Sequence, residues 1–330
     1  MGFDPKKLQA ALAFAMNNES TWNFARDQER TFGKPLGPLP ESRAATNVMV
    51  IRDGYLVAEF GDTLRPDPVY SVAKSFVSTM AGLAFDRKMI KDLHEFVGKS
   101  MRDGGYDSPQ NSGITWHHHL QQTSEWEGEM WGKKHDFVGH DAFGAGERKQ
   151  RALEKPGTHY EYNDVRINRF SLSLLKLWNE PLPSVLKRLV MDPIGASSNW
   201  TWHGYSNSTV EIAGKKATSV PGGTRWGGGL WISSRDLARF GLLFLNKGNW
   251  EGKQLLSENW IQQAITPGVL MPNYGYLWWL GAMGKRSFSA NGAGSNIVAI
   301  SPEHRMVVVW RWFRGQPGEF FKMLTDSLTG

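Results

Sequence analysis

Val48-Met49-Val50-Ile51-Arg52-Asp53-Gly54-Tyr55-Leu56-Val57-Ala58-Glu59-Phe60 reads as two β-rich runs joined by Asp-Gly, the strongest short hairpin signal a chain can carry. The two runs are expected to pair as adjacent antiparallel strands. Far downstream, residues 296–300 and 305–313 repeat the pattern across a Ser301-Pro302-Glu303-His304 turn, and Pro317-Gly318 opens an amphipathic run carrying Phe320, Phe321, Leu324 and Leu328. Strand signals therefore lie at both ends of the chain. Between them the periodicity is helical, over 71–85, 164–178, 184–190 and 234–245, separated by loops rich in Gly, Asn and Trp. This order predicts an α+β fold: an antiparallel sheet built from both chain ends and flanked by helices, with a mostly helical subdomain inserted. The expected division is a sheet domain of residues 1–85 and 225–330 and an inserted helical domain of residues 86–224.

Composition narrows the function classes. The 330 residues include 40% hydrophobic residues and 15 Trp, enough for a large core, and no internal repeat or low-complexity tract. The net charge of +6 is spread without any block of like charge, so no nucleic-acid partner is expected. Apolar runs such as 306–310 are strand-sized, far short of the roughly 18 to 20 residues a membrane helix needs. No membrane association is expected, and the start Met1-Gly2-Phe3-Asp4-Pro5-Lys6-Lys7 lacks the apolar core of a signal peptide, which predicts a cytoplasmic protein unless a leader has been trimmed. With no Cys, thiol nucleophiles, disulfides, iron–sulfur clusters and Cys-based zinc sites are all excluded.

Covalent catalysis would need another nucleophile, and Ser-x-x-Lys is the pattern to examine. Three residues make nearly one helical turn, which puts the ammonium on the same face as the hydroxyl. Random placement of 25 Ser and 19 Lys gives about 1.4 such pairs, and the chain has three: Ser71/Lys74, Ser173/Lys176 and Ser184/Lys187. Ser173 lies within a helical run, where its hydroxyl is expected to bond its own backbone. Ser184 follows Pro181-Leu182-Pro183 and precedes Val185, Leu186, Leu189 and Val190, as an N-capping serine would. Ser71 opens a helix of small and apolar residues, Ala73, Val77, Met80, Ala81, Gly82 and Ala84, which is expected to be buried. A nucleophile there would gain the helix dipole and free N–H groups, yet an N-cap would look the same.

Further along, Pro156-Gly157-Thr158-His159-Tyr160-Glu161-Tyr162-Asn163-Asp164 and Ser289-Ala290-Asn291-Gly292-Ala293-Gly294 follow in order. Together with Ser71-Val72-Ala73-Lys74 they resemble the S-x-x-K, Y-x-N and K-T-G or H-x-G signatures of serine hydrolases of the β-lactamase and penicillin-binding-protein fold. The resemblance is closest to the branch of class C β-lactamases, family VIII esterases, D-amino-acid peptidases and 6-aminohexanoate-dimer hydrolases. Supporting similarities are Ile114-Thr115-Trp116 through Thr123-Ser124, Trp226-Gly227-Gly228-Gly229-Leu230, Ser234 to Phe240 and Tyr274-Gly275-Tyr276-Leu277-Trp278-Trp279, so the likeness runs from about residue 40 to 315.

That resemblance implies a site between the two domains, with Ser71 as nucleophile, Lys74 and Tyr162 handling its proton, and the N–H groups of Ser71 and Ala293 as the oxyanion hole. Tyr160 would be a neighbour only. Asp164, Asn291, Gly292, Trp126 and Trp278 are expected to bind substrate or tune the site. Amines and phenols titrate near 10, so a base at neutral pH needs a depression of about three units, and the two groups are expected to titrate together. Two departures stand out. Asp164 replaces the usual Asn, and its carboxylate would hold Lys74 cationic, leaving Tyr162 as base. Ala290 replaces the Lys or His that helps bind a substrate carboxylate, which predicts little β-lactam turnover unless Arg225 or Arg286 supplies the charge.

The implied activity is carboxylesterase-like hydrolysis through an acyl-enzyme. Alternatives are amide hydrolysis of short oligoamides or D-amino-acid derivatives, a β-lactamase, and a silent binding or scaffold protein of the same fold. A small-molecule ester or amide is the expected partner; cofactors and metals are expected to be absent. The triple His117-His118-His119 points in three directions and lacks an H-E-x-x-H pattern, so capping or solvated roles are expected. Gly227-Gly228-Gly229 is expected to serve close backbone packing, because no Gly-Lys-Ser/Thr follows.

Overall fold

Asp53 and Gly54 both adopt positive φ, 52° and 82°, the pair of left-handed residues a type I′ hairpin turn demands. They join strands β1 (Asn47–Arg52) and β2 (Tyr55–Phe60), paired antiparallel with a register shift between Val50 and Ile51. The computed structural model describes residues 2–136 and 151–329. Later strands are β3 (Asp67–Pro68), β4 (Thr201–His203), β5 (Gly229–Ile232), β6 (Trp279–Leu280), β7 (Phe288–Gly292), β8 (Asn296–Ser301) and β9 (Met306–Arg311). Six of them form one sheet in the order β6-β7-β8-β9-β1-β2, so residues 47–52 meet residues 306–311 in its interior. A smaller sheet runs β3-β5-β4.

The helices are α1 (Pro5–Asn17), α2 (Phe24–Phe32), α3 (Ala73–Asp86), α4 (Trp116–Leu120), α5 (Asp164–Trp178), α6 (Leu182–Leu186), α7 (Ser234–Leu245), α8 (Glu258–Ala264) and α9 (Gly318–Asp326). Side-chain alternation in the sheet decides what covers each face. Val48, Val50, Ile297, Ala299, Met306, Val308 and Trp310 pack with α1 and α9 through Ala11, Ala15, Phe320, Phe321 and Leu324. Met49, Ile51, Val298, Ile300, Val307 and Val309 point the other way, into the large core that holds α3, α5 and α7. Helix α3 is buried on every side from Ala73 to Ala84, as its small apolar composition requires. Among the described residues, no helix is long and apolar enough to cross a membrane.

One expectation is corrected. Ser184 does not cap its helix: α6 begins at Leu182 after Pro181, and Ser184 sits exposed within it. Proline favours the first helical positions, which moves the start two residues upstream.

The segment leading to Ser71 is tied to the sheet by Arg311, fully buried at the end of β9. Its guanidinium donates to the carbonyls of Asp67 (3.0 Å), Pro68 (3.1 Å) and Ile232 (2.7 Å) and to Asn296 Oδ1 (2.8 Å). Next to it, Trp312 Nε1 donates to Asp67 Oδ2 at 2.9 Å. Replacing Arg311 by the apolar Met is expected to destabilise the fold by about 3 to 5 kcal/mol, because four buried acceptors lose their donor together. A thermal melt of Arg311→Met matching the parent would show that water or rearrangement satisfies those carbonyls instead.

Candidate active site

Helix α3 is preceded by a single tight turn, Tyr70–Val72, and Tyr70 takes a left-handed backbone with φ 49°. A non-glycine residue held there marks a position the surroundings over-determine. Tyr70 is fixed from outside: its hydroxyl donates to Gln28 Oε1 of α2 at 2.8 Å, and its ring packs edge-on against Trp22. Ser71 follows directly. Its hydroxyl makes no helix-capping bond; it accepts a hydrogen bond from Lys74 Nζ at 2.9 Å.

The other two Ser-x-x-Lys pairs do not meet in this way. Ser173 Oγ bonds the Arg169 carbonyl (3.1 Å) and Tyr106 (2.7 Å), while Lys176 goes to Asp103 at 2.7 Å. Lys187 turns away from Ser184 to pair with Asp192 at 2.6 Å. Ser71 is the serine whose lysine reaches it.

Lys74 is almost wholly buried, and its ammonium meets Asp164 Oδ1 at 2.6 Å and lies 4.4 Å from the centroid of the Tyr162 ring. Two structural details bring Asp164 there. Asn163 caps α5 by accepting the Arg166 N–H at 3.0 Å, which makes Asp164 the first residue of a 15-residue helix, where the dipole favours negative charge. Gln122 Oε1 accepts the Asn163 N–H (2.8 Å) while its Nε2 donates to Tyr274 OH (2.8 Å), locking the strand of chain that carries Tyr162. The second carboxylate oxygen of Asp164 faces Arg225 Nε at 3.4 Å. Burial alone would push Lys74 down, but the Asp164 charge and Tyr162 outweigh it, and the ammonium is held above the ordinary lysine value. Burial likewise opposes the Asp164 anion, yet Lys74 and then Arg225 hold its carboxyl below the ordinary range. The sequence-based expectation of a cationic Lys74 thus has a geometric counterpart.

Tyr162 stacks on Trp279, with ring centroids 5.7 Å apart at 30°, and meets Tyr274 edge-on at 6.2 Å. Tyr160 turns to Tyr274 as well, at 5.6 Å. On the opposite side of Ser71, strand β7 comes so close that a Cβ on Gly292 would stand 2.0 Å from the Val69 carbonyl oxygen and 3.3 Å from Ser71 N; only glycine permits this approach. Ala293 follows at the end of that strand, and neither its N–H nor that of Ser71 has a backbone acceptor among the described residues. Asn291 is half-buried in β7, and its buried side-chain oxygen has no hydrogen-bond partner among the described residues.

Two expected contact residues are corrected. Trp278 is fully buried among Phe240, Phe244 and Phe288, and Trp126 is 3% exposed with its Nε1 bonded to the Gly105 carbonyl, so neither offers a face to a substrate. Trp279, one residue on and partly exposed, stands against Tyr162 instead. Arg286 is exposed in the turn before β7, whereas Arg225 belongs to the site. Gln28 lies in no motif, and Gln122, although within the 114–124 similarity, carries no local sign of its role.

The arrangement sets a serine hydroxyl against a buried lysine–aspartate ion pair beside a tyrosine ring, a set of groups suited to acyl transfer. A profile of the β-lactamase family matches residues 36–326. The chain belongs to the β-lactamase family. A search of curated proteins finds no match. Among solved structures, a candidate 6-aminohexanoate-dimer hydrolase from Bacillus anthracis is similar over 85% of this chain and 78% of its own, at 19% identity and TM-score 0.63. EstCE1, a hydrolase with promiscuous acyltransferase activity, matches 98% of this chain and 99% of its own, at 14% identity and TM-score 0.65. The octameric penicillin-binding protein homologue from Pyrococcus abyssi matches 98% of this chain and 76% of its own, at 16% identity and TM-score 0.64. These likenesses place the chain in the β-lactamase-like fold expected from its sequence.

Metal-ligand chemistry has one candidate cluster among the described residues, Glu125, His159 and Glu161, whose ligand atoms lie within 4.8 Å of one another. Glu125 is already engaged by Arg151 (2.6 and 2.7 Å) and Arg166 (2.7 Å), so two guanidiniums occupy the place a cation would need. The three consecutive histidines point apart, to Tyr276 OH from His117, to the Thr115 N–H from His118 and to Tyr106 OH from His119.

Two outcomes are expected. Gly292→Ala should push β7 off the Ser71 turn and lower turnover about a hundredfold, as ångström-scale misplacement does, with circular dichroism unchanged; parental kinetics would show that the Val69 carbonyl yields at no cost. Separately, burial, then neighbouring His94 and for His118 also His117, push His117 and His118 down to about 4. The unfolded chain, titrating near 6.5, takes up protons first, so stability is complete above pH 6.5 and declines as pH falls toward about 4. The melting temperature at pH 5.5 should lie below that at pH 7, and His117→Gln should narrow the gap; an unaltered gap would assign the loss to other groups.

Proposed function

We propose that the protein is a serine hydrolase that cleaves an ester through an acyl-enzyme on Ser71, carboxylesterase-like in preference. The observation that carries this reading is the Ser71 hydroxyl 2.9 Å from a lysine that Asp164 keeps charged, at the turn against which Gly292 of β7 lies. An ammonium donating to Ser71 cannot take its proton, so in this reading Tyr162 is the general base, with Lys74 stabilising the negative charge that passes between the two oxygens.

In that scheme Ser71 Oγ forms a bond to the substrate carbonyl carbon as its proton passes to Tyr162. The carbonyl π pair becomes an oxyanion facing the Ser71 and Ala293 N–H groups. Collapse expels the alcohol, which leaves with the proton from Tyr162. Water then adds to the acyl-enzyme, its proton goes to Tyr162, and breakdown releases the carboxylic acid as Ser71 regains its proton. No metal or cofactor enters any step.

Ala290 is buried in β7 and brings no charge to the position where the family's strand motif carries Lys or His, which favours neutral esters over β-lactams. Trp279, stacked on Tyr162, offers an apolar wall for the acyl group. Amide hydrolysis is the second reading, supported by the likeness to a candidate 6-aminohexanoate-dimer hydrolase.

A fluorophosphonate probe with intact-mass readout is expected to add one adduct, abolished in Ser71→Ala and retained in Ser184→Ala. Ser71→Ala should lower ester turnover by at least about a thousandfold. On a panel of p-nitrophenyl esters, anilides and one chromogenic cephalosporin, short esters should be fastest. Labelling that persists in Ser71→Ala would sink the assignment, and efficient cephalosporin hydrolysis would overturn the substrate preference.

A further inference from the structure

Asp164 has two oxygens and two cations. Lys74 takes Oδ1 at 2.6 Å, while the buried Oδ2 has the Arg225 guanidinium at 3.4 Å, and the Arg225 backbone N–H adds to the support of the same carboxylate. Lys74 and Asp164 are 2% and 1% exposed, whereas Arg225 keeps 17% of its side chain open, so it is the member of the cluster that reaches the solvent side. We infer that Arg225 is a positioning residue that, by sharing the Asp164 charge with Lys74, sets where the proton of the Ser71, Lys74 and Tyr162 group resides; this rests on the hydrolase reading above.

The contact is built into the fold. Gly223 and Arg225 lie on a loop held at three points: the Gly223 N–H donates to Asn168 Oδ1 of α5 (2.9 Å), Tyr205 OH donates to the Gly223 carbonyl (2.7 Å), and Gln28 Nε2 of α2 donates to the Arg225 carbonyl. Gln28 is itself buried, and its other atom accepts the hydroxyl of Tyr70, the residue before Ser71. One side chain thus fixes both the turn bearing Ser71 and the arginine behind Asp164.

The charge count gives the arginine its role. Lys74 and Arg225 against Asp164 leave one positive charge in a largely dehydrated site, which negative charge arising on Ser71 or Tyr162 neutralises. The remaining titratable groups facing the cluster are the phenols of Tyr162, Tyr205 and Tyr274; of the two acids on α2, Asp27 is already engaged by Arg26 and Arg30, and Glu29 is exposed. Removing Arg225 deletes a positive charge, and removing Asp164 a negative one, so their effects on every nearby proton have opposite sign.

The test is the pH dependence of kcat/KM on the best ester, with circular dichroism as the folding control. In R225Q both limbs should move to higher pH by at least about half a unit, and in D164N both should move lower. R225K should keep the parental limbs, and R225Q/D164N, which restores the net charge, should return toward them. Limbs that stay in place in R225Q while kcat falls would show a merely structural arginine and overturn the inference, as would shifts of the same sign in the two single variants. Should R225Q not fold, R225Q/D164N measured against D164N decides: limbs no higher in the double variant overturn the inference. A parent enzyme that neither hydrolyses esters or amides nor takes the fluorophosphonate would sink the hydrolase reading itself, an outcome distinct from unmoved limbs in an active enzyme.

Discussion

A lysine and an aspartate taken out of water and held at 2.6 Å fix the distance between α3 and α5, and the rest of the site is keyed to that pair. Each ion gives up several kcal/mol of hydration on burial, and separating them would leave two uncompensated charges in the core. The pair therefore tolerates little relative movement of the two helices. Its placement also decides the sense of the hydrogen bond at Ser71: a lysine kept charged is a donor, so the serine oxygen accepts.

The serine turn is held from the sheet side by different means. Arg311 gathers carbonyls from two neighbouring strands of the small sheet, Gln28 grips Tyr70, and Gly292 lets β7 run against the turn without a side chain between. Helix contacts place the charges, and sheet contacts place the N–H groups. A site assembled at such a junction needs both halves in register, which accounts for the amount of buried polar bonding around one short turn.

Much of this was legible in the chain. The Asp-Gly turn gave both strands of the first hairpin, and the periodicity of 164–178 and 234–245 matched α5 and α7 to the residue, because long amphipathic segments and primed turns carry their geometry locally. Helices α1 and α2 were passed over, although Asp4-Pro5 is a capped start and Leu8, Ala11, Leu12 and Ala15 recur at helical spacing. In the site, Ser71, Lys74, Tyr162 and Asp164 do converge, whereas Trp126 and Trp278 do not belong to it. Which of two adjacent tryptophans faces a cleft is settled by the pleat of β6 and its neighbours, and no composition rule reports that. Gln28 and Gln122 were invisible for a related reason: each acts through two hydrogen bonds to residues far away in sequence, a tertiary property with no local pattern.

The pairing of β1 with β9 has a consequence for how the chain attains its structure. Residues 47–52 must wait for residues 306–311 before the interior of the main sheet can close, so during synthesis the early hairpin leaves the ribosome with one edge unsatisfied while some 250 further residues follow. An open strand edge of Met49, Val50 and Ile51 is a template for unwanted pairing with other chains. Helix α1 packs on the same strands and can shield one face of the hairpin in the interval, although not its edge. A sheet stitched together from the two extremities of the polypeptide closes only once the last strand is made.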